Sequence, residues 1–204
     1  MDTLTPLLDR LDGDEKHDWS ALSTLDVLSV LYDRVLQDGD RFMLSKGHGP
    51  QAYYAVLAAK GVIPVDWLDS WGEFESRLGH HPDRILLPAG GISSGSLGHG
   101  LPIAVGTALT GYRTFVLVGD GELDEGSNWE AVQYAGRMRL RTLTAVVVDN
   151  ASASHGWPEG IARRFDLEGW DAVTVDGRDH DALEEALSRN HVPGPVCVVA
   201  EVRR

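Results

Sequence analysis

A chain of 204 residues, 43% apolar and 24% charged, is long enough for one sizeable hydrophobic core and too short for two comfortable ones, so a single domain over residues 1–204 is expected. A net charge of -13 argues against a nucleic-acid or anionic-membrane partner, because either surface needs clustered Lys and Arg. The lone cysteine, Cys197, excludes an intrachain disulfide, and its apolar surroundings predict burial in a strand.

No run approaches the roughly 18 apolar residues of a membrane span, and residues 1–15 lack the basic and apolar regions of a signal peptide, so a cytoplasmic protein is expected. In chain order, Leu22–Leu36 reads as a helix, with Leu25, Leu28, Leu31, Val35 and Leu36 close to a 3.6-residue period and Ser23 and Asp26 as a cap pair. Gly47–Lys60 reads as a second helix, stopped by Gly61. Val62–Gly95, punctuated by Pro64, Pro82 and Pro88, is a long irregular region of the kind that usually carries function. A small-residue helix follows at Ile103–Leu109.

Four apolar strands are then expected, at Thr114–Val118, Leu143–Val148, Ala172–Val175 and Val196–Val202, alternating with helices at Trp129–Met138 and Asp179–Arg189. The basic cluster Arg137–Arg141 is read as solvating a helix end. The alternation predicts an α/β fold, a mostly parallel sheet with helices on both faces.

The most telling stretch runs from Thr114 to Asn150. Asp120, between Gly119 and Gly121, and Asn150 each stand just past the C-terminal end of a predicted strand. If the two strands are parallel, both ends open on one edge of the sheet, where open α/β sheets bind ligands. A carboxylate and an amide oxygen then converge, which is the beginning of a site for Mg²⁺, a cation that takes oxygen ligands and often completes its shell with phosphates. The glycines do not make a Walker loop, which needs a lysine, nor a GxGxxG dinucleotide fingerprint. An Asp between them would repel a bare phosphate, so the loop makes chemical sense when a metal bridges it to a diphosphate. Gly121 would bring its N–H close, at the positive end of the following helix. The plainer reading of Gly-Asp-Gly is a tight turn with Asp120 as a solvated cap, and Asn150 at the matching position weighs against it.

This motif, with Asn150, is similar to that of thiamine diphosphate enzymes. Together with Leu44-Ser45-Lys46-Gly47-His48-Gly49, Gly95-Ser96-Leu97-Gly98-His99-Gly100-Leu101 and the run from Gly119 to Ala131, it resembles the N-terminal, diphosphate-binding part of transketolases, from about His17 to Glu201. The alpha subunits of 2-oxo acid dehydrogenases share Gly-Asp-Gly, but the glycine-histidine blocks favour transketolase.

The resemblance implies roles by position. Asp120, Asn150 and the Ser152 carbonyl would ligate Mg²⁺. Gly119, the Gly121 N–H, Asn150 and His48 would hold the diphosphate, while Gly95 and Leu97 would line the thiazolium and pyrimidine. His17 and His81 match histidines near the reacting carbon, able to bond the donor's oxygens or shuttle protons. Glu125 and Glu130 match acids at a subunit interface, although helix-terminus electrostatics offers them a plainer explanation. His80 could replace His81 if the loop shifts by one residue. For His99, His180 and His191 a structural or solvated role is expected, and the role of His155 is open. Ser154 stands where transketolases have an apolar residue, and Lys16 and Asp18 to Ser20 replace a glycine-rich context.

In such enzymes the cofactor is the electron sink and the protein positions and protonates. The glutamate that activates the cofactor's far ring belongs, in this family, to a second, pyrimidine-binding domain. The resemblance therefore implies the small subunit of a split enzyme, assembled with a separate pyrimidine-domain partner as a heterotetramer of two copies each. It would transfer a two-carbon ketol, or related acyl, unit from a ketose or 2-oxo acid to an aldehyde. Alternatives are the alpha-type component of a decarboxylase and a non-catalytic subunit that serves assembly.

Overall fold

The computed structural model of the chain describes residues 4–11, 18–189 and 192–203. Its centre is one five-stranded, all-parallel sheet in the order β1-β2-β3-β5-β4. The strands are β1 (Arg41–Leu44), β2 (Thr114–Gly119), β3 (Leu143–Asp149), β4 (Asp171–Asp176) and β5 (Val196–Glu201). Four of them lie at the expected places. β1 was not expected: only four residues long, it runs directly into the Leu44–Gly49 block, whose glycines and histidine mask its pattern.

The helices are α1 (Thr5–Leu8), α2 (Asp18–Leu22), α3 (Leu25–Val30), α4 (Gln51–Ala59), α5 (Gly100–Leu109), α6 (Gly126–Met138), α7 (Ile161–Leu167) and α8 (His180–Leu187). The continuous helix expected over Leu22–Leu36 is divided. Ser23 Oγ donates to the Ser20 carbonyl (3.0 Å) and Thr24 Oγ1 to that of Ala21 (2.7 Å), which offers the backbone an alternative and ends α2. α3 then passes into a π-helical turn, Leu31–Val35. The expected cap pair does not form, since α3 has Thr24 at its N-cap without a side-chain cap bond, and Asp26 instead pairs with His180 Nε2 at 2.8 Å. The second helix begins only after Pro50, so Gly47 to Gly49 are free to form a loop. α7 escaped prediction because Ile161 and Phe165 are its only buried positions, a single helical step apart.

Strand residues alternate between two cores, as the two-residue pleat requires. Phe115, Leu117, Val146, Val148, Val198 and Ala200 pack with Leu28 and Leu31, with Tyr53 and Leu57 of α4, and with Leu183 of α8. Val116, Val118, Ala145, Val147, Cys197 and Val199 face the other way, against Leu101, Ala104, Val132, Ala135 and Phe165. Over β2, β3 and β5 both faces of the sheet are thus dry, whereas the edge strand β4 is half-buried to exposed; each fully buried Leu, Val or Phe contributes about 1.5–3 kcal/mol. The segment between α4 and α5 is irregular as expected, with 3-10 turns at Val65–Ser70 and Pro88–Gly90. Among the described residues no helix is long and apolar enough to cross a membrane.

Candidate functional site

Because β1, β2 and β3 are adjacent and parallel, the segments that follow them emerge on one edge of the sheet. Gly119 is in register with Val148, and the Asp120 N–H donates to the Val148 carbonyl at 3.0 Å, so Asp120 leaves β2 beside the end of β3. Asp120 is 1% and Asn150 8% exposed. The Asp120 carboxylate accepts from the Ser152 N–H (2.7 Å), the Ala153 N–H (2.9 Å) and Ser152 Oγ (2.6 Å), which folds the loop after β3 over the Gly-Asp-Gly turn. Asn150 Nδ2 donates to Ser23 Oγ at 2.9 Å. Its Oδ1 is buried and has no hydrogen-bond partner among the described residues.

An unsatisfied buried acceptor costs about 1–3 kcal/mol, and this one belongs to the residue that follows β3, the strand paired with the one that Asp120 follows. Together with the Ser152 carbonyl, a Cβ on Gly121 lying 3.4 Å from that oxygen, the corner offers oxygen donors only, which fits Mg²⁺. Among the described residues no three His, Cys, Asp or Glu side chains gather around a point, so the corner would depend on amide and carbonyl oxygens beside its one carboxylate. The expected helix N-terminus at Gly121 is displaced. Gly121–Asp124 form one 3-10 turn, and α6 begins only at Gly126, so the field at Gly121 is that of a single turn and its own N–H.

A cleft of about 320 Å³ opens above this corner, lined by His48, Leu97, Gly119, Gly121 and Ser152 among the expected residues, and by Lys46 and Glu122 besides. Lys46 is 6% exposed, and its Nζ donates to the Ser20 carbonyl and Oγ, both at 2.6 Å. Burial pushes the Lys46 ammonium down from 10.5 to about 8, against the pull of Asp120 and Glu122. Glu122 is 2% exposed; its Oε1 accepts from Ser45 Oγ and from the Gly98 N–H (2.9 Å). Burial raises its carboxyl, and these bonds and Lys46 oppose the rise. Ser20, Ser23, Lys46 and Glu122 were not anticipated as site residues. Lys46 and Glu122 lie inside the quoted motif blocks, but nothing in the spacing says which of a block's residues point inward.

The far side of the cleft is built from the irregular region. The His48 and His81 rings meet edge to face at 4.8 Å between centroids. Gly95 has φ +123°, and a Cβ there would lie 2.8 Å from His81 Cδ2, so both the backbone angle and the space require glycine. His80 packs on Trp71, 4.9 Å between ring centroids, whereas His81 is the histidine of this pair that touches His48 of the cleft lining. Glu125 and Glu130 are exposed at the start of α6, outside the cleft lining, and Glu125, at the N-cap position, makes no side-chain cap bond. His180 is held by Asp26, whereas His99 and His155 are exposed. His17 and His191 lie outside the described residues. As a whole, the site can seat a metal-bound polyanion at its sheet edge and a larger organic group toward Leu97 and His81.

Comparison with known proteins identifies the family. The sequence matches the family described as transketolase, thiamine diphosphate binding domain, over residues 15–114 and 109–198. A Rhodococcoides fascians protein named ferredoxin fas2 is 52% identical over 100% of this chain and 72% of its own length. An apulose-4-phosphate transketolase subunit of Actinobacillus succinogenes is 33% identical over 92% of this chain and 76% of its own. In fold, the chain is similar to a transketolase from Leishmania mexicana with a TM-score of 0.78, at 24% identity, covering 98% of this chain and 36% of that one.

Proposed function

The chain belongs to the transketolase family, and from that premise we propose that it is the diphosphate-binding subunit of a two-component, cytoplasmic, transketolase-like enzyme, with residues 1–204 forming one thiamine diphosphate-binding domain. The observation that carries this reading is the buried corner of Asp120 and Asn150, with its unpartnered Oδ1, beneath a cleft bordered by His48 and Leu97. Asp120, Asn150 and the Ser152 carbonyl would hold Mg²⁺, and Gly119, the Gly121 N–H and His48 the diphosphate. Gly95 and Leu97 would seat the rings. Bound there, thiamine diphosphate supplies a nucleophilic carbon and an electron sink.

The residues around it position and protonate. His81, against His48 at the cleft mouth, would bond the donor's oxygens or carry a proton, as would His17. Glu125 and Glu130, exposed on α6, would face another subunit. The reaction is transfer of a two-carbon ketol unit from a ketose, or a related acyl unit from a 2-oxo acid, to an aldehyde.

A separate pyrimidine-domain subunit would complete each site, in an assembly of two copies each. The Actinobacillus succinogenes relative is named as one subunit of its transketolase, which supports a chain that works beside another. The name ferredoxin does not carry over, because a cysteine-held iron–sulfur cluster needs several thiolates and this chain has only Cys197, buried in β5. Calorimetry on the purified assembly tests the reading. Metal-dependent, micromolar binding of thiamine diphosphate is the expected result, and indifference to both ligands would remove it.

A further inference from the structure

Three loops converge on the cleft: the one after β1 with His48, the one before α5 with Gly95 and Leu97, and the Gly-Asp-Gly turn after β2. They are far apart in sequence, and one buried carboxylate joins them. Glu122 Oε1 accepts from Ser45 Oγ in the first loop and from the Gly98 N–H (2.9 Å) in the second. Ser45 Oγ in turn accepts from the Gly100 N–H at 3.1 Å, so the second loop is held at two points. The backbone of Glu122 is itself pinned, its carbonyl accepting from Asn128 Nδ2 at 2.7 Å, and Asn128 is 0% exposed. Backbone approaches so close that a Cβ on Gly100 would overlap Ser45, so the loops have no slack to compensate if the carboxylate is removed.

We propose that Glu122 is a positioning residue, which through Ser45 and Gly98 sets the distance between the diphosphate corner and the Gly95–Leu97 loop. The inference rests on the cofactor reading above. A ligand that spans both loops should sense this distance, and a ligand that touches only the corner should not. A hydrogen-bond network around one buried charge is strong when complete and costly when half satisfied, so its removal is expected to be measurable.

The test is calorimetry on the full-length chain in its purified assembly, with Mg²⁺ and either thiamine diphosphate or inorganic diphosphate. Glu122→Ala is expected to weaken thiamine diphosphate by about tenfold or more while inorganic diphosphate stays within about twofold of the unsubstituted chain. Glu122→Gln keeps an acceptor at Oε1 and should restore most of the affinity. Ser45→Ala, which removes the bonds of Ser45 to Glu122 and to Gly100 but leaves Gly98 bonded to the carboxylate, should fall between and serves if Glu122→Ala does not fold. Unchanged thiamine diphosphate affinity in these variants, or equal weakening of both ligands, would overturn the positioning role and leave the cofactor reading standing. Failure of the unsubstituted assembly to bind either ligand would overturn both.

Discussion

The two sides of the cleft are made differently. At the sheet edge, Asp120 and Asn150 are 1% and 8% exposed, each fixed by hydrogen bonds to a neighbouring segment within a residue or two of a strand end. On the opposite side, His81 is exposed, and the Gly95 loop owes its place to its close approach to the His81 ring and to bonds that it donates to Glu122 and Ser45 rather than to a ladder. A parallel sheet fixes what leaves its strands, because register and direction are set by many backbone bonds at once. Loops packed on loops are fixed by a few side chains, so a single substitution there can shift what the loop presents.

This contrast predicts that the rim governs rate and the edge governs affinity. The largest effect is expected from His81→Ala, which should slow turnover of the assembled enzyme by roughly 100- to 10,000-fold, the range for a lost acid–base group. Its thiamine diphosphate affinity should stay near normal, and a large affinity loss with normal turnover would break the contrast. Asp120→Ala and Asn150→Ala act on the edge. Even outer partners of a metal ligand cost about 10- to 100-fold in affinity, so each should lose at least that much metal-dependent binding, with the circular dichroism spectrum unchanged. His48→Ala should weaken cofactor binding by about tenfold, the smaller loss expected for one hydrogen bond to a charged group.

The smallest effect concerns pH. Lys46 in the folded chain is lowered to about 8, so above that pH it loses the proton that favours an anion in the cleft. Thiamine diphosphate affinity should therefore fall by up to about tenfold between pH 8 and 9, and Lys46→Met should remove that slope. The linkage for folding has the opposite sign. Between about 8 and the ordinary 10.5 the unfolded chain binds more protons, so stability of the ligand-free chain rises with pH across that window, and the cost of burying the charge is fully present below it.

Much of the fold was legible because apolar periodicity reports burial directly. Strands buried on both faces, such as Leu143–Val148, read as continuous apolar runs, and their alternation with helices implied parallel pairing. The elements that escaped were short: β1, with four residues, and α7, with seven. The division between α2 and α3 escaped too, because the hydroxyl bonds of Ser23 and Thr24 that end α2 leave the apolar spacing intact.

Within the site, the order of residues along the chain already puts Asp120 and Asn150 just past the ends of β2 and β3, and hence on one edge, since strand direction fixes where a strand's next residue emerges. What surrounds them follows from packing alone. Ser23 meets Asn150 across 127 positions, and Ser45 meets Glu122 across 77. Contacts of that range depend on how helices and loops pack onto the finished sheet, and no local pattern along the chain encodes the orientation in which they arrive.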